Sequence, residues 1–172
     1  GSYWIKSSVD RFFIAHYMST AVVGVYGLAF QLTSIVMLFF GVINQAFQPF
    51  IYRKLKANDF RGVELIQYGY TALVIVSCII YFFILPFAFP YLFNAEFNRA
   101  IYYFNILLPG TAFLSIYYIF THSLFYYRKN KLISIITMGS MITHLIGIFV
   151  ITMTEIKVEY FCLVYAISSF YA

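Results

Sequence analysis

Charge is what this sequence has least of: Asp, Glu, Lys and Arg together make up 10% of its 172 residues, against about a quarter in an ordinary soluble domain. With 63% of residues hydrophobic, that scarcity excludes a soluble globule. The two cysteines, Cys78 and Cys162, each lie inside an apolar run, so neither a disulfide framework nor a metal site of closely spaced thiolates is available. Several chemical signatures are missing: paired carboxylates at a membrane face, Gly-x-Ser-x-Gly, His-Glu-x-x-His, a phosphate-cradling Gly-rich loop and a heme-like His pair. The segments between apolar runs are too short to build a soluble active site. These absences point away from an enzyme, a cofactor or a metal and leave transport. Tryptophan occurs once, whereas 21 Phe and 17 Tyr bring the aromatics to 23%, a class that gathers near the two faces of a bilayer. The chain opens Gly1-Ser2, with no initiator Met, basic n-region or cleavage site, so we expect a piece of a longer polytopic protein and no signal peptide.

What is present is a series of apolar runs. A spanning helix needs about 20 mostly apolar residues, and the length holds about six such segments: about 3–17, 22–50, 65–93, 100–127, 132–153 and 159–172. The second would be roughly 43 Å long at 1.5 Å per residue and must tilt or protrude. Pro86 and Pro90 interrupt the far end of the third, and Pro109-Gly110 lies inside the fourth. No run alternates with period two as a membrane barrel would require, so an all-α polytopic bundle is predicted. Lys and Arg outnumber Asp and Glu by 11 to 6, a net charge of +5, and the cations concentrate in two loops. Arg53, Lys54, Lys56 and Arg61 follow the second span, and Arg128, Lys129 and Lys131 follow the fourth. The other loops hold His16, Ser19 and Thr20, then Asn94, Glu96 and Arg99, then Glu155 and Lys157. The positive-inside rule therefore places the two basic loops in the cytoplasm, against anionic inner-leaflet lipid, and no nucleic-acid partner is needed.

Polar residues at membrane depth are the candidate functional ones. Lys6, Ser7, Asp10 and Arg11 cluster on the first helix, roughly 9 Å below its outer end. Either Asp10 neutralises a neighbouring cation and both snorkel outward, or the cluster faces a hydrated cavity and meets an anionic substrate or coupling ion. On the second helix, Thr20, Gly24, Gly27, Gln31, Ser34, Leu38, Gly41, Gln45 and Gln48 fall on one stripe at spacings of three and four. Close helix packing would explain the glycines and Ser34. Cavity lining explains better the amides of Gln31, Asn44, Gln45 and Gln48, which are costly in hydrocarbon unless water or a polar ligand meets them. Gln31, Ser34, Gly41, Gln45 and Gln48 are then expected to be open on a concave face, with Val36, Phe39 and Val42 against lipid or other helices. Weaker stripes run along the fourth helix (Thr111, Ser115, Tyr118, His122) and the fifth (Thr137, Ser140, His144, Gly147). His144 lies near the bilayer midplane, where a histidine either relays protons or is a neutral packing residue.

Residues 7–50, SSVDRFFIAHYMSTAVVGVYGLAFQLTSIVMLFFGVINQAFQPF, resemble the seventh and eighth spans of bacterial Wzx-type polysaccharide-unit flippases, members of the multidrug/oligosaccharidyl-lipid/polysaccharide exporter superfamily. Asp10-Arg11, Val23-Gly24-Val25-Tyr26, Ala29, Asn44-Gln45-Ala46 and Gln48-Pro49-Phe50 carry the resemblance. Pro90-Tyr91, the segment 100–109 and Tyr127-Arg128-Lys129-Asn130-Lys131 extend it toward the later spans. It implies the C-terminal lobe of a twelve-helix exporter, with two pseudo-symmetric lobes and alternating access, partnered by its own N-terminal lobe in the bacterial inner membrane. It further implies a substrate of undecaprenyl-diphosphate-linked oligosaccharide, with Lys6 and Arg11 for the pyrophosphate, the Gln/Asn stripe for the glycan, and a proton or sodium as coupling ion. His144 departs from the family pattern, which favours an amide or small residue there. A multidrug or cation antiporter of the same superfamily is the nearest alternative, and a membrane-embedded glycan polymerase or acyltransferase the alternative from another class.

Overall fold

Long apolar runs with few interruptions fold here into helices, some of them longer than the runs. The computed structural model describes residues 2–154 and 156–170, without the side chains of residues 2–5 and 7. Glu155, the side chain of Ser7 and the end of the sixth expected span at 171–172 lie outside the described residues. Six α-helices follow one another: α1 (Ser2–Tyr17), α2 (Thr20–Lys56), α3 (Phe60–Leu92), α4 (Arg99–Tyr126), α5 (Asn130–Met153) and α6 (Val158–Phe170), with one 3-10 turn at Ala95–Phe97 before α4. No strand occurs among the described residues. Four segments are long and apolar enough to cross a bilayer, Thr20–Lys56, Phe60–Leu92, Ala95–Tyr126 and Asn130–Met153. The helices standing for the first and sixth spans have 16 and 13 residues, short of the number a full crossing needs.

The second, third and fifth helices overrun the apolar segments at their basic ends because Lys and Arg are good helix formers and the turns beyond them are tight. α2 continues through Arg53, Lys54 and Lys56, and three residues separate it from α3. Asp59 caps α3, accepting from the Gly62 backbone N–H at 2.9 Å and from Lys54 Nζ at 2.7 Å. The Lys54 hydrogen bond, helped by the Gly62 N–H, holds the exposed Asp59 carboxyl below its ordinary pKa. The α4–α5 turn is also three residues long, but no side chain caps α5. In each turn one residue takes the left-handed region, Asn58 and Arg128, both at φ 55°. Asn tolerates that conformation; Arg gains nothing there to offset its Cβ clash. At the other end of α2, Ser19 caps the helix by accepting from the Val22 N–H. Helix α3 runs through Pro86 and Pro90, and α4 through Pro109.

Helix α4 is the centre of the bundle. It packs most extensively on α2, then on α6 and α3, and α5 closes against α6 and α1. Phe104, Leu107 and Ile119 of α4 share the core with Tyr26, Phe30 and Phe40 of α2 and with Phe161 and Tyr165 of α6. Two glycines set the closest approaches. A Cβ on Gly110 would lie 2.8 Å from the Ala166 Cα, and one on Gly147 would lie 2.6 Å from Val164. The Tyr52–Tyr126 ring contact, 5.7 Å between centroids, holds the C-terminal ends of α2 and α4 together, so both basic turns emerge at one end. Met18, Arg99, Tyr103 and Lys157 line one pocket at the opposite end. Most of α3 is exposed outward, with Ile75, Ile79, Phe82, Phe83 and Phe87 presenting an apolar surface suited to lipid.

Candidate functional site

The polar residues separate into an open face on α2 and an enclosed cluster where α1, α2, α5 and α6 meet. Along α2 the buried residues are Tyr26, Ala29, Phe30, Thr33, Val36, Phe40, Asn44, Ile51 and Leu55. That is the stripe packed on the rest of the bundle. The stripe from Thr20 to Gln48 lies about a third of a turn away, and none of its nine members is buried. Gln31 and Gln45 are exposed, and Ser34, Gly41 and Gln48 are partly exposed. A Cβ added to Gly24, Gly27 or Gly41 would meet nothing within 4 Å, so close packing within this bundle does not account for these glycines. Ser34, Met37, Leu38, Gly41, Val42, Gln45 and Tyr118 line a recess of about 390 Å³. Gln48 Nε2 donates to Tyr52 at 3.3 Å, and Pro49 has no N–H to offer the Gln45 carbonyl one turn back. This face can therefore present amide donors, amide and carbonyl acceptors, hydroxyls and an aromatic ring, and it carries no carboxylate.

Two expectations about this helix need correction. Asn44 is 8% exposed and turned into the bundle, where its Oδ1 accepts from His122 Nε2 at 3.1 Å. One residue of helix is about 100° of rotation, enough to move Asn44 from the open stripe of Gln45 to the packed one. Of the residues placed against lipid or other helices, Val36 is buried, but Val42 is exposed and lines the same recess as Gln45. The stripe on α4 is mostly internal: Thr111, Ser115 and His122 are buried, and the first two hydroxyls donate to carbonyls one turn back.

The second cluster is the enclosed one. Asp10 and His144 are fully buried and Lys6 is 4% exposed, so Lys6 and Asp10 do not face the open recess, contrary to the cavity reading of the charged cluster. The snorkelling reading fails as well, because neither reaches a surface. His144 Nε2 lies 2.9 Å from Asp10 Oδ1, within hydrogen-bond distance, and the Tyr26 hydroxyl donates to Asp10 Oδ2 at 2.7 Å. Lys6 Nζ donates to Ser140 Oγ at 2.7 Å and to Ser168 Oγ at 3.0 Å. Ser168 Oγ also lies 3.2 Å from His144 Nδ1 and 3.0 Å from the Tyr165 carbonyl, and Ser140 donates to the Ser168 carbonyl. An ammonium, a carboxylate and an imidazole thus share one hydrogen-bonded network in the lobe interior. Arg11, next along α1, is partly exposed, and its guanidinium lies 5.6 Å from the centroid of the Phe30 ring.

The sequence alone points to Lys6, Asp10 and His144, and to Ser140 as part of a stripe. It does not point to Ser168 and gives Tyr26 no role. The signal for Ser168 was slight, a serine pair ending an apolar helix. Its partners Lys6, Ser140 and His144 are 162, 28 and 24 positions away, a separation that periodicity along one helix does not encode.

Comparison with known proteins places this geometry. The MatE family profile matches residues 2–150. Protein 1 of the Lsg locus of Haemophilus influenzae is 30% identical over 158 residues, covering 91% of this chain and 39% of the relative. An uncharacterized membrane protein of the same organism is 30% identical over 147 residues, covering 84% of this chain and 36% of the relative. The chain thus spans less than two-fifths of the length of these curated relatives. No solved structure matches it significantly.

Proposed function

The chain belongs to the MatE family of membrane transporters, within the multidrug/oligosaccharidyl-lipid/polysaccharide exporter superfamily, and from that premise we propose that it is the C-terminal lobe of a lipid-linked oligosaccharide flippase. In this reading the open face of α2 is one wall of the substrate path, and the missing N-terminal lobe supplies the other. The protein resides in the bacterial inner membrane, with the basic stretches 53–61 and 128–131 in the cytoplasm.

One observation carries the choice of substrate. The open stripe offers amides and hydroxyls, whereas Asp10, the acid at membrane depth, is enclosed with both oxygens engaged. A hydroxyl-rich glycan is met by such donors and acceptors. A cationic drug needs an exposed carboxylate, and this lobe shows none on that face. Lys6 is committed to Ser140 and Ser168, which leaves Arg11 as the cation available to a pyrophosphate, through two parallel N–H groups.

Export of surface glycan in a flippase-null strain tests this reading, with the whole protein expressed and its membrane level measured alongside. Gln31→Ala with Gln45→Ala is expected to cut export severely at unchanged protein level. Arg11→Lys keeps part of the activity and Arg11→Ala loses most of it. Full export by the Gln double variant, or efflux of a cationic dye with no glycan export by the wild type, would overturn the assignment.

A further inference from the structure

We propose that the enclosed cluster is a proton-binding site, with His144 as the carrier and the Ser168 hydroxyl as a two-position partner that satisfies the site in both protonation states. The inference rests on the exporter reading but not on the identity of its substrate.

The argument is a count of protons against lone pairs. A carboxylate only accepts, so the 2.9 Å contact with Asp10 Oδ1 requires a proton on His144 Nε2. Ser168 has one hydroxyl proton and two candidate acceptors, the Tyr165 carbonyl at 3.0 Å and His144 Nδ1 at 3.2 Å. If that proton points to Tyr165, the Nδ1 contact holds only with a proton on Nδ1, and His144 is an imidazolium. Ser168 Oγ then accepts from Lys6 Nζ and from Nδ1–H, which uses both of its lone pairs. If the proton points to Nδ1 instead, His144 is neutral and Ser168 still accepts from Lys6. The Tyr165 carbonyl loses only a supplementary bond. Loss of the Nδ1 proton to water and rotation of one hydroxyl interconvert the two states, and neither leaves a buried polar atom unpaired.

The surroundings set the charge balance. From α1 come Asp10 and Lys6, with Arg11 following in sequence; from α2 comes the Tyr26 hydroxyl on Asp10. From α6 come Ser168, the fully buried Cys162 and the Tyr165 ring, edge-on with its centroid 6.4 Å from that of His144. On α5 itself the neighbour is Ser140. No hydrogen bond or ion pair reaches His144 from α3 or α4 among the described residues. With neutral His144, Lys6 and Asp10 cancel; the added proton leaves the lobe interior with one net positive charge. An uncompensated charge in so dry a place is costly, so its arrival and departure can bias which side of the lobe packs tightly. The same inventory disfavours sodium. Each Asp10 oxygen already accepts a protein hydrogen bond, and the Lys6 ammonium occupies the enclosure that a second cation would enter.

The test uses the whole protein, purified in detergent and labelled with 15N-histidine. The resonances absent from His144→Gln identify His144. Both the doubly protonated pattern and the one with the proton on Nε2 alone are expected to be populated as pH is varied, and Ser168→Ala is expected to change their ratio at fixed pH. A single protonation state throughout the range would overturn the proposal whatever the substrate is. In proteoliposomes a pH gradient is expected to drive transport by the wild type and not by His144→Gln, with a sodium gradient at clamped pH giving none. Transport driven by sodium alone, or pH-driven transport in His144→Gln, would contradict the site. Absence of glycan transport with a normal His144 titration would count against the proposed substrate and leave the proton site standing.

Discussion

Removing one charge from the enclosed cluster should cost far more than removing two. Asp10 is fully buried and Lys6 nearly so, and they are joined through His144 and Ser168. Asp10→Asn leaves the Lys6 ammonium with two serine hydroxyls and no counter-charge, and Lys6→Met leaves the Asp10 carboxylate without its cation. Breaking a buried pair at one partner costs about 3–5 kcal/mol, whereas replacing both charges at similar volume is often near neutral. Met has about the length of the Lys stem, and Asn can still accept from Tyr26. We therefore expect about 3 kcal/mol of destabilisation from each single change and within about 2 kcal/mol of wild type for the double variant. The implied coupling of about 4 kcal/mol lies above the usual range for contacting residues. Reversible denaturant titration of the purified whole protein measures it. Additive losses, with the double variant the least stable of the three, would show that the two charges are solvated separately and that the enclosed network is wrong.

Other consequences concern packing and topology. Arg128 holds φ 55° in a turn where Asn58 does the same work, so Arg128→Gly should raise stability by about 1 kcal/mol, and an unchanged or lower melting temperature would refute the strain. Gly110→Ala should destabilise by about 1–3 kcal/mol, because its Cβ meets the Ala166 backbone. Gly24→Ala, which meets nothing, should be neutral or slightly stabilising in the same melting assay. Cysteines at Ala57 and Asn130, with Cys78 and Cys162 replaced, should resist an impermeant thiol reagent in intact cells and react after the inner membrane is opened; labelling in intact cells would reverse the orientation.

The helices are legible because few residues interrupt the apolar runs, and the largest differences at their ends fall at the α2–α3 turn, where basic residues carry the helices past the apolar segments. The open face of α2 was legible because small and polar residues repeat there at helical spacing, from Thr20 to Gln48. Asn44 was misassigned because composition treats it like Gln45, while one residue of rotation turns it toward His122. Lys6 and Asp10 stand out in the sequence as charges inside an apolar helix, but their surroundings depend on α5 and α6. No pattern within α1 announces Ser140, His144 or Ser168.

The central claim, that the α2 stripe walls the substrate path, is tested most directly by thiol accessibility in the whole, cysteine-free protein. Single cysteines at Gln31 and Gln45 should react with a water-soluble reagent and be protected by added lipid-linked oligosaccharide. A cysteine at Phe39, about a third of a turn from that stripe on the same helix, should do neither. Equal reactivity at all three positions, or protection at Phe39 and not at Gln45, would contradict the account.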